Sequence, residues 1–126
     1  MDENLARKEV DDFILNEIDT VPHLEALLLL WNNRSQAWSF EAMADSLYLP
    51  TEATRLIIAD LEKRGFVVLT DNRHFLYRST DRDRLVELVE KTYRREIVRI
   101  SNMIHSKPAA SLREFARAFR LKRDRD

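Results

Sequence analysis

Apolar positions recur at helical spacing through most of the chain and switch to short continuous runs only between residues 66 and 78. Leu5, Val10, Phe13, Ile14 and Ile18 form a partial stripe on a predicted helix over 2–18. Asp19-Thr20-Val21-Pro22 ends it and opens the next. Thr20 or Asp19 supplies the cap, and Pro22 falls in the first turn, where a missing N–H has no intrahelical partner to lose. The helix predicted over 22–33 carries Leu24, Leu27, Leu28, Leu30 and Trp31 on more than one side, so it reads as the central core helix. Asn32-Asn33-Arg34-Ser35 is a polar exit, and Trp38 is assigned to the core beneath the next two helices.

Residues 39–78 carry the clearest punctuation. Ser39 caps a short helix over 40–47. Leu49-Pro50-Thr51 breaks the chain and starts a second helix that runs to Arg64. It stops at Gly65, the one glycine in the sequence, which accepts the left-handed conformation without a Cβ clash. Two runs of strand composition come next, 66–70 and 74–78, separated by Asp71-Asn72-Arg73. A two-residue loop at Asp71-Asn72 sets Thr70 opposite Arg73, Val68 opposite Phe75 and Phe66 opposite Tyr77. Phe66, Val68, Phe75 and Tyr77 then share the core face. Val67, Leu69 and Leu76 fall on the other.

After the hairpin, Ser79-Thr80-Asp81, with Asp83 three residues beyond Thr80, signals a variant capping box. One helix is predicted over 81–106, roughly 39 Å long at 1.5 Å per residue. Leu85, Leu88, Val89, Tyr93, Ile97, Ile100 and Ile104 hold a single stripe along it. A stripe that long exceeds what a small domain covers and implies a second copy of the chain, unless the first helix covers it. Pro108 breaks the helix, and 111–120 forms a last one with Leu112, Phe115, Ala116 and Phe119 on one face. The expected dimer interface is Leu85, Val89, Tyr93, Ile97, Ile100, Ile104, Phe115 and Phe119. Residues 122–126 read as a solvated tail.

The order of elements resembles the winged helix-turn-helix of transcriptional regulators of the MarR and PadR type. Leu47-Tyr48-Leu49-Pro50, then Ala53, Ile57, Leu61 and Gly65-Phe66-Val67 carry the resemblance, and Asp71-Asn72-Arg73 is similar to the Asp-x-Arg of the MarR wing. The fold class is therefore mainly α, a winged helix-turn-helix with a two-stranded wing and additional N- and C-terminal helices. Residues 1–80 make the winged-helix domain with its N-terminal helices, and 81–126 a helical extension for dimerisation. The resemblance implies double-stranded DNA as partner, bound by a homodimer on a pseudo-palindromic site.

With Ile57 at the centre of the buried face, Thr51, Glu52, Arg55, Ala59, Glu62 and Lys63 point outward and Ile58 lies at the border. Arg55 suits guanine, Glu52 a cytosine amino group, and Thr51 or Thr54 a phosphate. Asn72 and Arg73 at the wing tip suit a minor groove or the backbone. That outward face carries two acids and two bases, which weakens the phosphate term. A winged-helix protein-interaction module or adaptor without intrinsic DNA binding is the alternative, with Ile58 and Ala59 as contact residues.

Composition narrows the classes further. The chain is 126 residues long, 44% hydrophobic and 34% charged, which suits one domain with a real core. It contains no cysteine, so disulfides and thiolate metal sites are excluded. His23, His74 and His105 sit on separate elements with no ligand spacing, and a single glycine cannot build a phosphate loop. No enzyme activity, cofactor or metal is expected. The acidic start is not a secretory signal, and no apolar run spans a bilayer, so a cytoplasmic protein is expected. The net charge of −1 conceals a gradient. Residues 1–38 hold eight acids and three bases, whereas 81–126 hold eight acids and thirteen bases. The basic third is expected to meet the acidic first segment, with nucleic acid as the other candidate.

Overall fold

The computed structural model describes residues 3–107. Six helices and a small sheet run in order: α1 (Glu3–Glu17), α2 (Val21–Asn32), β1 (Trp38–Ser39), α3 (Phe40–Leu47), α4 (Thr51–Lys63), β2 (Val67–Leu69), β3 (His74–Tyr77), α5 (Asp83–Arg95) and α6 (Ile97–His105). The caps form where the side chains allow them. Thr20 Oγ1 accepts from the His23 N–H, and Ser39 Oγ from the Ala42 N–H. α2 is the hub: it packs against α3, α4, α5, α6 and β3, and Leu24, Ala26, Leu27 and Leu30 are fully buried. Edge-on aromatic pairs tie the layers together, Phe13 to Phe66 and Trp31 to Tyr77. The buried cluster is continuous from Val10 in α1 to Ile104 in α6.

Three features differ from the sequence-based expectation. The hairpin register is shifted by one: Val67 pairs with Tyr77, Val68 with Leu76 and Leu69 with Phe75, and the Thr70 N–H bonds to the His74 carbonyl. The loop is therefore Asp71-Asn72-Arg73, not Asp71-Asn72. Its cause is local. The Asp71 carboxylate accepts from the Arg73 N–H at 2.6 Å, an Asx turn that needs the third residue. With this register Val67 is buried, and Val68, expected on the core face, is exposed, as is Leu69. Phe66, Phe75 and Tyr77 remain in the core as expected.

The sheet also has a third strand. Trp38 and Ser39 pair antiparallel with Phe75 and His74, giving the order β1-β3-β2. Trp38 is buried there, as expected.

The long C-terminal helix is broken. Glu96 leaves helical geometry at φ −130°, ψ 46°, and the chain continues as α6. Neither glycine nor proline marks the break; burial and ion pairing hold it. α6 turns back onto α1 and α2 and buries Ile100 and Ile104 in the chain's own core. The Glu96 carboxylate meets Arg99 Nε at 2.8 Å and Arg7 at 3.1 Å, and Arg99 bonds both carboxylate oxygens of Asp11. The hydrogen bond from Arg99 acts most strongly to hold the Glu96 carboxyl below the ordinary range; burial comes next and opposes it, and the positive charges of Arg99 and then Arg7 add to the lowering. Lys107 Nζ donates to the Ile14 and Ile18 carbonyls at the negative end of α1. Arg99 and Lys107 thus place part of the basic third against the acidic first helix.

Asp83 at the start of α5 joins the helix to the wing. Asp83 accepts from the Tyr77 hydroxyl at 2.7 Å, from the Thr80 N–H at 3.0 Å, and from the Ser79 hydroxyl. Burial pushes its carboxyl up, but these donors outweigh burial and its pKa lies below the ordinary value. Burial first, and then Asp83, pushes the Tyr77 phenol up. A depressed carboxylate contributes stability above the unfolded pKa and loses it as pH falls through the folded one. Asp83→Asn should therefore lower the melting temperature at neutral pH, by about 1–2 kcal/mol of stability. The gap to the wild type should close below about pH 4. Parallel melting curves across that range would show that Asp83 is not the titrating group.

Candidate nucleic-acid interface

The turn between α3 and α4 is built by backbone hydrogen bonds. The Leu49 N–H bonds to the Ala44 carbonyl and the Tyr48 N–H to the Asp45 carbonyl, with Tyr48 left-handed at φ 57°. A tyrosine in that region is strained by about 1–2 kcal/mol, and its side chain is 94% exposed. Pro50 then sets the entry to α4 at φ −61°. The far end of α4 repeats the same closure. The Phe66 N–H bonds to the Leu61 carbonyl and the Gly65 N–H to the Glu62 carbonyl, with Gly65 at φ +87°. Arg82 seals this end, donating to the Arg64 carbonyl at 2.7 Å and stacking its guanidinium 3.9 Å from the centre of the Phe66 ring. Arg64 reaches the end of α1 through Glu17 at 3.2 Å and Asp19 at 3.6 Å.

α4 therefore sits at a fixed attitude, and Glu52, Arg55, Leu56 and Ala59 face outward at spacings of three and four. Thr51 is half-buried. The buried set is Thr54, Ile57, Ile58 and Leu61, so the core face is rotated by about 50° from an Ile57-centred one at 100° per residue. Two expectations change. Thr54 is fully buried and its hydroxyl donates to the Pro50 carbonyl at 3.1 Å, which takes it off the surface. Ile58 is core, not border. Leu56, absent from the sequence-based set, is 70% exposed. Its spacing of four from Glu52 is the signal that could have found it.

Arg55 lies with its guanidinium 4.4 Å from the centre of the Phe40 ring and 3.7 Å from the Glu52 carboxylate. At the wing, Asn72 and Arg73 are exposed at the tip of the Asx turn. The Arg73 N–H and then His74 hold the Asp71 carboxyl below the ordinary range, which keeps the turn closed.

His23 joins α2 to α4: Nδ1 meets Thr20 Oγ1 at 2.6 Å and Nε2 meets Asp60 Oδ2 at 2.9 Å. The donor atoms of Asp19, His23 and Asp60 come within 4.8 Å of one another, a possible cation triad. Both His23 nitrogens already have partners and Asp19 faces Arg64, so the cluster is accounted for as a tie between helices. Sequence spacing does not bring these three residues together.

Solved structures share this arrangement. A mutant of MepR from Staphylococcus aureus, bound to an oligodeoxyribonucleotide, aligns with a TM-score of 0.54 at 16% identity over 94% of this chain and 87% of its own. RV1404 from Mycobacterium tuberculosis gives 0.51 at 24% identity, covering 92% and 82%. A MarR family protein from Bacillus stearothermophilus gives 0.51 at 18% identity, covering 97% and 85%. The chain has the winged-helix fold of MarR-type regulators. No family model matches its sequence, and neither does any curated protein. The winged-helix likeness extends through α5 and α6, since these alignments cover nearly the whole chain.

The expected interface residues after the wing fall into three groups. Val89, Ile100 and Ile104 are buried within the chain. Leu85 and Tyr93 are half-buried, and Ile97 is exposed beside Val98. Phe115 and Phe119 lie outside the described residues.

Proposed function

We propose that this chain is a DNA-binding transcription regulator, without enzymatic activity, that reads double-stranded DNA through α4 and the wing. The observation that carries the reading is the stripe Glu52, Arg55, Leu56 and Ala59. It stands clear of the core on the second helix of a helix-turn-helix, the element that enters a major groove. Two further findings support it. MepR is a transcription regulator of a multidrug efflux pump, and its mutant is seen on DNA with this fold. Among the described residues no helix is long and apolar enough to cross a membrane, and a cytoplasmic site of action fits a regulator. The chain acts as a homodimer on a pseudo-palindromic site, with the exposed Ile97 and Val98 of α6 at the interface. Thr51, Glu52 and Arg55 contact the groove, and Asn72 and Arg73 contact the neighbouring backbone or minor groove.

Fluorescence anisotropy over a salt series, on a duplex enriched from a randomised library, tests this. Binding should show a shallow salt slope, because acids and bases balance on the outward face of α4. Arg55→Ala should cost about 1–3 kcal/mol and relax preference at one base position. Arg73→Ala should weaken binding to all sequences alike. A chain that enriches no duplex even at low salt would instead fit the protein-module reading.

A further inference from the structure

Leu56 is the large apolar side chain exposed on the α4 reading stripe. A single exposed leucine is ordinary on a protein surface, so its placement decides its meaning. It sits one residue after Arg55, four after Glu52 and three before Ala59, at the middle of the outward face. Of its charged neighbours, Arg55 lies over Phe40 and within ion-pair distance of Glu52, whose side chain stays open to solvent. Beside these two polar side chains, the stripe is apolar at Leu56 and Ala59. In a major groove, the thymine C5-methyl is the base-edge group that such side chains can recognise.

We infer that Leu56 is a specificity-determining residue that packs on a thymine methyl, so each half-site contains a required T·A pair. This rests on the DNA-binding reading above. Burying one methyl against Leu56 contributes a discrimination of about fourfold per thymine.

The test replaces thymine by deoxyuridine, position by position, in a duplex enriched from a randomised library by the full-length chain. Uracil keeps every hydrogen-bonding atom and removes only the methyl. Wild type should lose about fourfold in affinity at one position per half-site. Leu56→Ala should bind thymine and uracil duplexes equally, at the wild-type affinity for uracil. Because Leu56 is exposed, this variant should keep the wild-type melting temperature. An enriched duplex with no uracil penalty overturns the Leu56 assignment and leaves the DNA reading standing. The same holds if Leu56→Ala retains the full penalty. Failure to enrich any duplex overturns both.

Discussion

Ile100→Asp should abolish the folded state, whereas Ile97→Asp should leave it standing and change only how copies of the chain associate. The two residues are one turn apart on α6, yet Ile100 is 0% exposed and Ile97 is 52% exposed. Ile100 packs in the core that α6 shares with α1 and α2. An aspartate there must be buried uncharged, or drag water into the core, and it also leaves the volume of the isoleucine unfilled. The cost should exceed about 4 kcal/mol, a large share of the 5–15 kcal/mol that typically holds a domain together. Circular dichroism should show a chain without a cooperative melt. At Ile97 the carboxylate remains in water, so the melt should persist. Sedimentation at micromolar concentration should report two chains for the wild type and one for Ile97→Asp. A cooperative melt for Ile100→Asp would mean that α6 does not pack as described. A wild type that sediments as one chain at high concentration would remove the dimer.

The contrast shows what the sequence contained and what it did not. The periodicity of residues 85–104 picked out Val89, Ile100 and Ile104, which are buried, but it also took in Ile97, which is exposed, and left out Val86, which is buried. It could not say which surface they meet. A single helix over 81–106 and two helices with a break at Glu96 have nearly the same pattern, and no glycine or proline separates them. The break is decided by pairs distant in sequence, Arg99 with Asp11 and Lys107 with the end of α1. The same limit acts at the wing. Strand composition located the hairpin, but one side-chain hydrogen bond, from the Arg73 N–H to Asp71, set the loop length and hence the register. β1 was illegible for a related reason: two residues are too few to carry a period, and Trp38 joins the sheet only because β3 lies beside it. On α4 the helix and both its ends were legible, since Pro50 and Gly65 act locally. The direction of its buried face was not, and that rotation hid Leu56 while promoting Thr54.

Gly65→Val should destabilise the fold by about 2–4 kcal/mol, with the loss concentrated where the reading helix joins the wing. Gly65 is at φ +87°, a region that a β-branched residue enters only with strain of about 1–3 kcal/mol. A second effect adds to it. A Cβ on residue 65 would stand 3.1 Å from the Arg82 guanidinium, and valine extends further. That guanidinium donates to the Arg64 carbonyl and covers Phe66, so moving it uncaps α4 and loosens the ring that meets Phe13. Two companion variants separate the effects. Gly65→Asn tolerates the left-handed region, so it should recover much of the backbone strain. Arg82→Ala keeps the glycine and removes the cap, so it should cost about 1–2 kcal/mol. If strain and cap act together, urea denaturation should order stability as wild type, then either companion, then Gly65→Val. A Gly65→Val midpoint equal to the wild type would mean that residue 65 is not left-handed. Because α4 is held at this end by Gly65 and Arg82 and, one turn earlier, by His23 and Asp60, Gly65→Val should also weaken DNA binding at temperatures well below its melt, as the helix loses part of its anchoring there.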